Sequence, residues 1–126
     1  MITRRIGFSV LVGFVGLALA ACGVGPTSTL PARSLSVELT EFSITPDVYA
    51  AQVGEPLTFV VTNAGVLDHD LTIVDADGEQ LAHVAFKSGQ TASFDFQPTT
   101  AAQFQLMCSI DGHAKAGMSA QMIVNP

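Results

Sequence analysis

Cysteine and basic side chains are both scarce in this chain. Only Cys22 and Cys108 are cysteines among 126 residues, and five Lys and Arg stand against eleven Asp and Glu, a formal net charge of −6. So few basic groups exclude nucleic-acid binding, because holding a phosphate backbone takes a basic surface. A helix spanning a bilayer needs about 20 apolar residues, and the long apolar run at the N-terminus, Ile6 to Ala21, has only 16. After that run no helical period, internal repeat or low-complexity block is found beyond one short linker. A helical bundle, a repeat array and a membrane-spanning domain are thereby set aside.

What the N-terminus does hold is a processing signal. Arg4 and Arg5 precede the apolar run, which ends in Leu19-Ala20-Ala21-Cys22. Small residues before a cysteine resemble the bacterial lipobox, in which the leader (residues 1–21) is removed and Cys22 carries a diacylglycerol. A plain secretory signal or a short anchor helix is the alternative, and the Arg pair leaves Sec or twin-arginine export open. Residues 22–33, with Gly-Val-Gly-Pro-Thr-Ser-Thr-Leu-Pro-Ala-Arg after the cysteine, read as a flexible tether. Removal of the leader leaves three basic residues (Arg33, Lys87, Lys115) against eleven acidic ones, a formal charge of −8. Attachment to an anionic membrane then comes from the lipid, not from charge. A basic protein partner would suit this surface, and so would a plain solubility role.

Residues 34–126 read as short strands between turns. Leu35, Val37 and Leu39 alternate with polar positions, and Phe42 and Ile44 resume in the opposite parity, which suggests a bulge near Glu41. Leu57 to Thr62 is β-branched and apolar, and Leu71 to Val74 ends at Asp75-Ala76-Asp77-Gly78. Leu81 to Phe86 and Thr91 to Phe96, separated by Lys87-Ser88-Gly89-Gln90, form a predicted hairpin. Phe104, Leu106 and Cys108 share one parity, Met122 to Val124 form the last strand, and Thr99 to Gln103 has room for one helical turn. Seven or eight short strands of this kind predict an all-β Greek-key sandwich. Phe59, Phe86, Phe94, Phe96 and Phe104 are its expected core.

Two places concentrate metal-ligating side chains. His69 lies where a loop meets a strand, and Cys108, His113 and Met118 follow a C-x4-H-x4-M spacing before the last strand. Taken singly, His69 reads as a surface histidine, Met118 as core filling and Cys108 as an inert buried thiol. Together, two imidazoles, a thiolate and a weak thioether are the donor set of a trigonal copper site with an axial Met. Gly112 and Gly117 would let the loop fold back on one point. An unpaired exported cysteine also asks for a reason, since free thiols are avoided in oxidising compartments, and metal ligation supplies one. His83 reads as a surface histidine, Met107 as facing away from Cys108, and Met122 as packing.

These residues resemble the cupredoxin family, the plastocyanin, azurin and auracyanin type of small blue copper protein. The likeness rests on Val53-Gly54-Glu55-Pro56-Leu57-Thr58-Phe59-Val60-Val61-Thr62-Asn63, on His69, and on Phe104 through Val124. It implies an eight-stranded sandwich with one type-1 copper at its end, His69, Cys108 and His113 as ligands and Met118 as the axial group. It also implies an electron port at the edge of His113, with Val66 and Ala114 in an apolar patch around it. Departures fall beside the ligands: Asp70 stands where many members have Asn, Asp111 where Pro is frequent, and Ala102 and Ala120 where Gly is.

The expected function is single-electron transfer between redox proteins, such as a cytochrome, an oxidase or a membrane complex, on the outer face of a bacterial membrane. No second histidine cluster is present for a catalytic copper, and no second cysteine in the loop for a dinuclear centre, so neither an enzyme nor a small-molecule substrate is expected. A copper-delivery lipoprotein using the same ligands is the alternative; a purely structural β-sandwich would need none of them.

Overall fold

Alternating apolar and polar side chains bury one face of a strand and leave the other wet, and this pattern builds nine strands here. The computed structural model describes residues 30–126, so the leader, Cys22 and most of the tether lie outside the described residues. The strands are β1 (Arg33–Thr40), β2 (Ser43–Thr45), β3 (Val48–Gln52), β4 (Leu57–Asn63), β5 (His69–Val74), β6 (Gln80–Phe86), β7 (Thr91–Phe96), β8 (Gln103–Met107) and β9 (Ser119–Asn125). One sheet runs β2-β1-β4-β7 and the other β3-β9-β8-β5-β6. The β1–β4 and β3–β9 pairs are parallel and the rest antiparallel. Among the described residues there is no helix.

The two sheets pack face to face through their aromatic side chains. Phe59 on β4 is fully buried, stacks on Phe94 of its own sheet and meets the edge of Tyr49 on β3 of the other. Phe96 on β7 touches Phe104 on β8 across the same interior. Burying one such ring contributes roughly 1.5–3 kcal/mol, so these contacts set how the sheets face each other.

Four local expectations need correction. The predicted bulge near Glu41 is a tight turn: Leu39 pairs with Ile44 and Thr40 with Ser43, so the chain reverses and the parity change follows from the reversal. The predicted β6–β7 hairpin is a crossover between sheets. Asn63 at the end of β4 captures its turn, donating N–H to Gln90 O (2.8 Å) and accepting from Gly89 N (2.9 Å), which sets β7 beside β4. No helical turn forms over Thr99–Gln103: the preceding Pro98 O accepts from Gly54 N and Ala102 O from Val124 N, so both serve neighbouring segments. The added strand β3 shows why the count was low. Tyr49 and Ala51 face the core, but Val48 points outward, so its apolar residues do not alternate.

Candidate metal centre

Strand register brings the two distant motifs to one end of the sandwich. β5 pairs with β8 through Thr72 and Met107; continued upward, this register sets Leu71 beside Cys108 and Asp70 beside Ser109. β8 pairs with β9 through Met107 and Ser119, and Cys108 N donates to Met118 O across the same step (3.2 Å). The loop between Cys108 and Met118 therefore returns to its own start. Inside it His113 N donates to Ile110 O and Met118 N to His113 O, with Gly112 and Gly117 at positive φ (85° and 111°). Those positive φ values favour glycine, because any other residue is strained against its own backbone there.

Three donor atoms meet at the open end. His69 Nδ1 lies 3.3 Å from His113 Nδ1, and Cys108 Sγ lies 3.5 Å from the same His113 Nδ1. One ligand atom from each residue falls within 4.8 Å of the others. Two nitrogens bound about 2.0 Å from a shared ion at a trigonal angle stand about 3.5 Å apart, so the separations fit one small cation between them. Met118 is fully buried and joined to both Cys108 and His113 by backbone bonds. His69 and Cys108 are buried, whereas His113 is half-buried.

Polar side chains brace this cluster from behind. Asp70 is buried and accepts from Ser109 N (2.8 Å), Ser109 Oγ (2.9 Å) and Thr72 Oγ1 (2.8 Å), with Cys108 Sγ 3.7 Å away. Thr72 gives its one hydroxyl proton to Asp70, so His83 Nδ1, 2.9 Å from that oxygen, is the donor to it. Asn63 is fully buried; its side-chain NH2 donates to Leu67 O and Phe86 O, and its Oδ1 accepts from Gly65 N. This ties the loop before His69 to two strands.

Burial pushes the Cys108 thiol above its ordinary pKa, and the nearby Asp70 carboxylate adds to the rise. A protonated, buried thiol is a poor nucleophile, whereas a metal ion would displace that proton. Glu41, in the β1–β2 turn, is held below the usual carboxylate range, chiefly by the donated N–H of Leu67. Its Oε1 accepts from Val66 N (2.7 Å) and Leu67 N (3.1 Å). Phe42, next in that turn, sets its ring edge against His113, with centroids 5.5 Å apart at 84°.

The sequence thus pointed to all three residues that converge. It assigned no role at the site to Glu41, Phe42 or Asn63. His83 is on the surface, as expected, with its side chain 41 % exposed, yet linked to Asp70 through Thr72; Met122 packs in the core. Beside His113 stand exposed Phe42 (46 % exposed), whose ring packs on the imidazole, and Ile110, whose carbonyl accepts from His113 N. Exposed Val66 (80 %) and Leu67 lie in the loop before His69, and Ala114 is half-buried.

A sandwich with this strand order and a His-Cys-His cluster at one end defines the class of cupredoxins. Within it, the model of the Sulfocyanin (SoxE) domain matches residues 56–126, more than half of the chain, and the protein belongs to that family. No curated protein sequence matches it. Among solved structures, dithionite-reduced auracyanin from the photosynthetic bacterium Roseiflexus castenholzii superposes with a TM-score of 0.69 at 15 % identity, covering 75 % of this chain and 98 % of that one. Auracyanin B superposes with a TM-score of 0.70 at 16 % identity, covering 78 % and 92 %. A multicopper oxidase also matches, with a TM-score of 0.62 at 16 % identity, covering 76 % of this chain but 39 % of the oxidase. At such identities these likenesses describe the fold.

Proposed function

We propose that the protein is a single-electron carrier holding one mononuclear type-1 copper ion through His69, Cys108 and His113, with Met118 as the axial group. The observation that carries this reading is the meeting of two imidazole Nδ1 atoms and one thiol sulfur at separations that suit a single ion. Soft sulfur with two imidazoles favours copper over hard cations. When bound, copper would supply a Cu(II)/Cu(I) couple that takes up and releases one electron.

The chain's own residues would do the rest. His69 and Cys108, buried on or just beyond strand ends, would keep the ligand positions fixed as the charge changes. Half-buried His113, flanked by exposed Phe42 and Ile110, would offer the electron an exit through an apolar docking face. The acidic mature chain would add attraction to a basic redox partner, so association should slow as salt rises. Residues 1–21 would be removed as a leader, and Cys22 with the following tether would anchor residues 34–126 to the outer face of a bacterial membrane. The sequence Leu19-Ala20-Ala21-Cys22 supports that part.

The test is to add Cu(II) to the isolated protein and record visible absorption and paramagnetic resonance. An intense thiolate-to-copper band with narrow hyperfine splitting, lost in Cys108→Ser, is expected. A pale spectrum of ordinary nitrogen and oxygen ligands would rule the carrier out. A blue protein that quickly surrenders its copper to a chelator would point to copper delivery.

A further inference from the structure

His69 carries an unexplained polar atom. Its side chain is fully enclosed, and its outer nitrogen, Nε2, has no hydrogen-bond partner. Buried N–H groups are rarely left so. Glu41 Oε1 faces it at 3.6 Å, too long for a hydrogen bond but close for a carboxylate and an N–H dipole. Gly65 makes the approach possible: a Cβ there would fall 2.5 Å from Glu41 Oε1 and 2.9 Å from His69 Nε2. Any other residue would have to push the two apart.

The turn that delivers Glu41 is itself strained. Phe42 sits at φ 65°, a conformation that costs a bulky residue on the order of 1–3 kcal/mol. From that one turn Glu41 faces one histidine while Phe42 packs against the other.

We infer that Glu41 is the positioning residue of the buried ligand: its carboxylate keeps the His69 proton on Nε2, leaves Nδ1 free for the metal, and adds a negative charge that favours the more highly charged metal state. This rests on the copper reading above. A carboxylate behind a ligating imidazole fixes the ring's tautomer and raises its basicity. Glu41 is 35 % exposed, so solvent screens part of the effect without removing it.

The test compares wild type with Glu41→Gln in two ways: the reduction potential of the copper-loaded proteins, and the relative affinity of the metal-free proteins for Zn(II) and Ag(I). Gln keeps an acceptor oxygen for Val66 and Leu67, so a Glu41 that merely holds the loop would move neither quantity. The expected result is a shift of about tenfold toward the reduced state at fixed potential, which for one electron is 59 mV. Zn(II) should weaken about tenfold relative to Ag(I). Unchanged potential and unchanged selectivity overturn the role of Glu41 while both proteins remain blue. A wild type with no thiolate-to-copper band would instead bring down the copper reading, and this role with it.

Discussion

The two histidines of the centre live in opposite surroundings. His69 opens strand β5, is walled in on every side, and is held by Asn63 and Glu41 through the loop before it. Beyond Ser109, the loop that carries His113 is closed by bonds between its own backbone groups, and exposed Phe42 lies against the imidazole. A carrier needs both: one half that holds its shape when the charge changes, and one half that a partner can approach. Asp70 joins them, bonded to Ser109 at the start of the loop from its place next to His69.

The sharpest way to break this contrast is Asn63→Ala. It removes three hydrogen bonds of a buried side chain, two of them buried, and leaves Phe86 O and Gly65 N unsatisfied, so a loss of about 3 kcal/mol is expected, read from denaturant unfolding. In the loop-borne half, Lys115→Ala should stay within about 0.5 kcal/mol, because its exposed side chain makes no bond among the described residues. Equal costs for the two would erase the distinction between a braced half and a free one.

Gly65→Ala is the next test of the braced half. The added methyl displaces Glu41 from His69, so the potential should rise in the same direction as in Glu41→Gln, with the visible band retained. A potential that falls would contradict the placement of that charge.

Away from the site, Tyr49 offers a smaller effect. Its hydroxyl is buried without a partner, and burial pushes its pKa well above the ordinary tyrosine range. A group whose folded pKa is raised contributes stability that is present below about pH 10 and lost as the pH rises beyond it. Because its unpaired buried hydroxyl is costly, Tyr49→Phe should raise stability by about 1 kcal/mol at neutral pH, and because it removes the titrating group it should flatten the alkaline fall seen by thermal melting. The smallest effect belongs to the surface. Arg33 bonds Glu55 and holds its carboxyl below the ordinary value. That contribution is present above about pH 4.5 and lost as the pH falls further. Glu55→Gln should remove only that part of the acid dependence, and added salt should mask the difference.

How much of this was legible in the sequence follows from range. Cys108, His113 and Met118 sit in one hairpin loop, so their spacing carries the geometry, and His69 stands out as a histidine at a strand edge. The β-sandwich was legible from alternation in β1 and β8 and from the β-branched apolar run of β4. The supports were not. Glu41 meets His69 only because β1 lies beside β4 in a parallel pair that local pattern cannot reveal. Asn63 reads as a strand-ending turn residue until its side chain is seen inside the protein. The β6–β7 turn looked like a hairpin because nothing nearby in sequence shows that Asn63 captures it.

The most direct measurement is X-ray absorption at the copper edge of the loaded protein, oxidised and then reduced. One sulfur and two imidazole nitrogens bound at short range, nearly unchanged between the two states, are the predicted result. A shell of nitrogen and oxygen without sulfur, or one that gains or loses ligands on reduction, would contradict a single copper held by His69, Cys108 and His113 for electron transfer.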